Sequence, residues 1–248
     1  MKQGTAYAAR LAKEFAALRR SLGEPEIGEA DDPLRRLAIA VLSAHTTEAK
    51  AEKAIDRARS TMVDWNELRV STPDEIDDAM GNAIPGGRDR CKVLATVLRS
   101  IFERENRVAL DKIEGMPRRE AKQYLESLDG VDAHAAASVI LWSLGGHAIP
   151  VSVELLKALR LANLVHPQAD RAEVQAFLER NISAADAKAF CILMSKLGTK
   201  RHPSTTKSRK TAVRKKNAPG RASTKSATST GVGKSSTGSS SEKKRIKK

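Results

Sequence analysis

Apolar residues in this chain return every three or four positions and never settle into alternation. Tyr7, Leu11, Phe15 and Leu18 form one such row, and Leu34, Leu37, Ala38, Val41 and Leu42 form another. Val93, Leu94, Val97, Leu98 and Ile101 form a third. That spacing puts each set on one face of an α-helix. Without a period-two run of β-branched residues, no sheet is expected. Capping chemistry marks the helix starts: Asp32 before Pro33, Thr72-Pro73 with Glu75, Asp170 with Glu173, and Ser183 with Asp186. Pro85-Gly86-Gly87 is a turn signal, and a long helix is expected after it over 88–104. Further helices are expected over 47–59, 118–128, 133–144 and 152–164. The expected class is all-α, with about ten helices and short loops.

The pattern stops after Pro203, where Ser, Thr, Lys, Gly and Ala take over. Such a segment buries too little apolar surface to offset its ordering entropy, so disorder is expected there. The break also divides the charge. The whole chain has 44 Lys+Arg and 30 Asp+Glu, a net +14, with a pI near 10.0. Residues 200–248 hold 16 of those bases against one acid, Glu242, leaving 28 bases and 29 acids in residues 1–199. The body is close to neutral and the tail carries the excess. Three clusters stand out: Lys207, Arg209 and Lys210; Arg214, Lys215 and Lys216; and Lys243, Lys244, Arg245, Lys247 and Lys248. A polyanionic partner is expected, with DNA phosphates contacted through counterion release. The Ser/Thr/Ala/Lys composition resembles that of linker-histone tails.

Cys91 and Cys191 belong to no CxxC pair, so two buried thiols in a reducing compartment are expected, with no metal site. No apolar run follows the first basic residues, and none reaches membrane-spanning length, so a soluble intracellular chain with no membrane contact is expected.

The segment 118–144 carries the chemistry. Its turn reads Leu128-Asp129-Gly130-Val131-Asp132-Ala133-His134-Ala135-Ala136, between an amphipathic helix and an apolar one. It resembles the helix-hairpin-helix of the endonuclease III-like DNA glycosylases, whose hairpin reads leucine, proline, glycine, hydrophobic, glycine, any residue, lysine, threonine, alanine. Leu42-Ser43-Ala44-His45-Thr46-Thr47-Glu48 is similar to the family's "leucine-serine-alanine-glutamine-threonine-threonine-aspartate". Ile84-Pro85-Gly86, with Arg90 six residues after Ile84, is similar to its turn before a long helix. Gly145 to Glu154 is similar to the loop that delivers the catalytic aspartate. The resemblance covers roughly residues 30–200. It implies a two-lobed helical glycosylase-like fold, a phosphate held by the hairpin around Gly130, and a base flipped into a cleft.

The departures fall on the family's chemical groups. His134 stands at the lysine position, and an imidazole cannot form the imine of lyase chemistry. Ser152 stands at the aspartate position, and Asp132 at the second hairpin glycine. The four cysteines of the family's iron–sulfur cluster are absent, so no cofactor is expected. Each position also has a plainer reading: His134 as a solvated or capping histidine, Ser152 as an N-cap, and Glu154, Asp132 and Lys157 as surface or capping charges. His45 is either a wedge at the gap left by a flipped base or a partly buried structural histidine. Trp142 is expected in the core, and Trp65 in the core or at a lobe contact.

The expected organisation is an N-terminal helix and linker over 1–29, the helical domain over 30–199 and the tail over 200–248. The expected function is a monomeric DNA-binding protein of the base-excision-repair glycosylase fold without standard glycosylase or lyase chemistry, associated with DNA in a nucleoid or nucleus. The DNA-binding set is His45, Gly130, His134 and the tail clusters. Whether the chain is an enzyme stays open. One alternative is an active glycosylase with Glu154 or Asp132 as displaced acid, and another is an architectural nucleoid protein.

Overall fold

The computed structural model describes residues 4–62 and 64–201, with side chains through Leu197. The tail clusters from Lys207 onward lie outside the described residues. Within those residues the chain is helical, with no strand. The helices are α1 Gly4–Leu22, α2 Pro33–Ser43, α3 Glu48–Thr61, α4 Trp65–Val70, α5 Pro73–Ala79, α6 Gly87–Glu105, α7 Arg118–Glu126, α8 Ala133–Trp142, α9 Val153–Leu161, α10 Arg171–Asn181 and α11 Ala187–Arg201. A 3-10 turn spans Asp111–Gly115.

The starts follow the capping chemistry. Asp32 accepts the Arg35 amide at 2.6 Å ahead of Pro33. Thr72 and Glu75 form a reciprocal box, and so do Asp170 and Glu173. Thr47 occupies the N-cap position of α3 without a side-chain cap bond, so that helix begins one residue later than its periodicity implied. The count exceeds the expected ten because α4 has six residues, too few to display a helical period. Its start is fixed instead by Asp64, which accepts the Asn66 and Glu67 amides at 2.8 and 2.9 Å.

Two apolar cores result. The first gathers α2 through α8, with Leu37, Leu42, Ile55, Leu94, Leu98, Ile101 and Ala136 at its centre. The second gathers α1 and α9 to α11 around Leu11, Phe15, Leu159, Phe177 and Phe190. Helix α1, first in the chain, thus packs with the last helices. Helix α8 serves both cores: Ala135 to Ile140 face the first and Leu141 the second. Trp65 packs against the first core and Trp142 against the second, both partly buried. Arg36, 6% exposed, ties the cores together. Its Nε donates to Ser138 Oγ at 2.8 Å, it pairs with Glu48 and Asp31, and it lies over the Trp142 ring.

Leu98 is fully enclosed in α6, so Leu98→Ala should cost about 2–5 kcal/mol by leaving a cavity. Val70→Ala, at a side chain 65% exposed, should change stability by less than about 0.5 kcal/mol. Urea unfolding of the two variants checks both values.

Candidate functional site

The hairpin joins α7 to α8 through residues 127–132 and lies against α6. Gly130 has φ of +87°, and a Cβ there would meet Val97 Cγ2 at 3.0 Å and Val93 Cγ1 at 3.3 Å. Glycine is therefore required both by the turn and by the close approach of α6. The Asp129 amide donates to Ser100 Oγ at 3.1 Å, a second tie to α6.

Asp132 ends the hairpin and caps α8, accepting the Ala135 amide at 2.9 Å. Its other oxygen pairs with Arg171 at 2.9 Å, from the first residue of α10. Burial alone would raise the Asp132 carboxyl, but the Ala135 amide and the Arg171 guanidinium outweigh it and hold it below the usual carboxylate range. Arg171 also donates through Nε to Val151 O at 3.1 Å. One guanidinium thus grips both the hairpin and the loop that leads to Ser152.

His134 is not solvated, as one reading of it held. It is 7% exposed, and neither ring nitrogen has a hydrogen-bond partner among the described residues. Burial pushes its imidazole down to about 4, with Asp132 opposing and Arg171 and Arg36 adding to the shift. The ring is neutral at neutral pH. A cavity of about 190 Å³ lies beside it, lined by Asp132, Ala133, His134, Arg171, Ala172 and Gln175. A second, of about 230 Å³, lies on the other side of Asp132 and is lined by Val41, Ala44, Arg90, Val93 and Gly130.

Ser152 caps α9, accepting the Leu155 amide at 3.1 Å. Glu154 pairs with Lys157 at 2.9 Å on the exposed face of that helix. The loop before Ser152 is laced to α10 and its C-terminal end. Glu179 accepts the Ile149 amide at 3.2 Å and the Gln175 side-chain amide at 2.9 Å. His147 Nε2 lies 3.0 Å from Ile182 O.

His45 is exposed on the turn after α2, which meets the start of α9 through Val153 N and Ala44 O at 3.4 Å. Partial desolvation lowers its imidazole, the Arg90, Arg171 and Lys157 cations add to this, and Asp132 opposes it. The structure therefore brings His45, Gly130, Asp132 and Lys157 to one mouth. Arg90 and Arg171 belong to the same mouth but were not singled out as site residues by the sequence. Arg90 was visible as a landmark of a turn. Nothing in the local spacing marks Arg171, whose partner lies 39 residues away.

No protein-family profile matches the chain. An Arabidopsis thaliana protein named "Putative DNA glycosylase" is 22% identical over 156 residues, covering 62% of this chain. The chain spans about half (52%) of that relative's length. Among solved structures, an endonuclease III trapped covalently on DNA superposes with a TM-score of 0.60 and 18% identity over 79% of this chain and 86% of that one. The 8-oxoguanine glycosylase/lyase of Clostridium acetobutylicum, in complex with DNA, gives 0.62 and 16% over 81% and 71%. A thermostable thymine-DNA glycosylase gives 0.55 and 13% over 79% and 86%.

The chain has the fold of the helix-hairpin-helix DNA glycosylases.

In that fold's terms the hairpin, the loop to Ser152 and the turn bearing His45 surround one cleft. The iron–sulfur cluster of some such proteins does not fit this chain. It has two cysteines, with Cys91 enclosed in the first core and Cys191 on α11 packed against the second.

Protonation of His134 works against folding. Its folded pKa lies below the ordinary value of about 6.5, so the unfolded chain takes up the proton first. The contribution of neutral His134 is complete above about pH 6.5 and is lost as the pH falls toward about 4. Wild-type stability should therefore decline across that window, and His134→Gln should flatten the decline. Urea midpoints measured across the window test this.

Proposed function

We propose that this chain is a DNA-binding protein of the glycosylase fold in which imine-forming lyase chemistry has been lost. The observation that carries this is the occupancy of the cleft. At the family's lysine position stands a buried, neutral imidazole, which cannot form an imine with an abasic sugar. At the aspartate position stands Ser152, whose hydroxyl oxygen is engaged in capping α9. Support for DNA binding comes from the fold, from the cations Arg90, Arg171 and Lys157 around the hairpin, and from the 16 Lys+Arg of residues 200–248. The reading includes a monomer, no metal or cofactor, and association with DNA inside the cell. None of the described helices is long and apolar enough to cross a membrane. Neither the fold nor the cleft favours the architectural alternative.

A displaced-acid glycosylase is the second reading, and one observation favours it. Asp132 is an ionised carboxylate that borders both cavities. Glu154, by contrast, is engaged with Lys157 on the surface.

Incubation with abasic-site duplex and borohydride should trap no covalent adduct, and oxidised, alkylated and mismatched duplexes should release no base. An adduct would refute the proposal. Base release that Asp132→Asn abolishes would put the second reading in its place. Removing residues 206–248 takes away 14 Lys+Arg, and should weaken duplex affinity by about tenfold or more and flatten its salt dependence. Unchanged affinity and slope in a salt titration would locate DNA binding entirely in the helical body.

A further inference from the structure

We propose that Arg171 is a positioning residue for DNA binding: by bonding Asp132 and Val151 O together, it sets the spacing between the hairpin and the loop to Ser152 before DNA arrives. The inference rests on the DNA-binding reading and deepens it by naming what fixes the two edges of the cleft.

Those edges are anchored to different cores. On the hairpin side, the Asp129 amide is tied to Ser100 of α6, Arg104 of α6 holds Ser127, and Asp132 caps α8. On the other side, the Ile149 amide is tied to Glu179 of α10, and His147 lies against Ile182 O just beyond that helix. Helix packing does not set the distance between them, because the backbone of α10 makes little approach to that of α8. Nor do filled side chains, because cavities of about 190 and 230 Å³ flank Asp132 on its two sides. His134 lines the first of these with Arg171, and among the described residues neither of its ring nitrogens is bonded across it.

What crosses from the hairpin to the second core is a single guanidinium. Its Nη2 donates to Asp132 Oδ2 at 2.9 Å and its Nε to Val151 O at 3.1 Å. The first bond is charge-assisted, and the planar fork fixes the angle between the two. Both ends are rooted. Arg171 is the first residue of α10, whose start is held by the Asp170–Glu173 box. The second oxygen of Asp132 holds the Ala135 amide, so the bond reaches α8 as well as the hairpin. A hairpin fixed in advance does not have to be ordered when DNA binds, and ordering of that kind weakens binding. In this role the charge of Arg171 is matched by Asp132 and need not touch DNA.

The test uses the full chain, so that residues 200–248 contribute equally to every variant. Binding of a short labelled duplex is measured across a salt series, and amide hydrogen exchange is measured on the free protein. Arg171→Gln should bind about threefold to tenfold more weakly, the cost of ordering a side chain or two on binding, with the log–log salt slope unchanged. Arg171→Lys keeps the charge and loses the fork, so its affinity should fall with that of Arg171→Gln. Asp132→Asn has one acceptor oxygen where two are used, so either the cap or the bond to Arg171 is lost. It should bind more weakly, although removal of a negative charge alone would tighten binding. In all three variants the Asp129, Val131 and Ile149 amides should exchange about threefold or more faster, while α6 is unchanged. A slope lower by about 0.9 in Arg171→Gln, or wild-type affinity in Arg171→Lys, makes Arg171 a direct phosphate contact and refutes the positioning role. Tighter binding by Asp132→Asn, or unchanged exchange at the hairpin, refutes it as well while the DNA-binding reading stands. No binding by wild type refutes the DNA-binding reading, and the exchange rates then still decide whether Arg171 fixes the hairpin.

Discussion

Helix α8 is buried on every side from His134 to Leu141, and the rest of the molecule is arranged around that fact. Few helices in a protein of this size can be enclosed all round, because most need a polar face for water. The run Ala135-Ala136-Ala137-Ser138 makes it feasible here, since small side chains let α2 come close. Enclosure then imposes its own demands. Ser138 needs a partner, and Arg36 supplies one from α2 at 2.8 Å. The cost of burying that guanidinium is offset by Glu48, Asp31 and the face of Trp142. Position 134 is itself buried, so any side chain there sits in a poorly hydrated place.

That last consequence bears on the chemistry. A buried amine at position 134 would be held neutral only at a cost, or would need a carboxylate nearby. A neutral imidazole suits the same place with no charge to solvate. The cation at this junction belongs instead to Arg171, on the other lobe, where it is partly exposed and paired with Asp132. The charges at this junction are neutral at 134, negative at 132 and positive at 171. The sum across the three is zero. The cleft can thus stay folded around a polar cluster while presenting little net charge to a phosphate, with Arg90 and Lys157 as its outlying cations.

Most of the fold was legible in the sequence, for reasons tied to particular residues. The row from Val93 to Ile101 announced the long helix, and Asp32-Pro33 and Thr72-Glu75 announced starts that the structure keeps. Ser152 was legible as a cap, because serine before an apolar helix has an obvious use for its oxygen. Helix α4 was not, since six residues carry no period. The burial of His134 was hidden because it depends on how other helices pack around α8, which no local pattern encodes. Arg171 was hidden for the same reason. As the first residue of a capped helix it looks like any solvent-facing arginine, and its importance comes from reaching 39 residues back to the hairpin.

The split between body and tail acquires a physical meaning from this geometry. A hairpin whose turn is filled by its own carboxylate contributes less counterion release than one left open. Residues 1–199 have a net charge of −1, so on the DNA-binding reading proposed above the long-range attraction to a polyanion falls to the +15 of residues 200–248. The two parts then act on different terms. On that reading, charge on residues 200–248 would attract any phosphate backbone at long range and be screened by salt. Around the hairpin the charges are short-range and paired: Asp132 engages the Ala135 amide and Arg171, and the cavity beside His134 lies next to that pair.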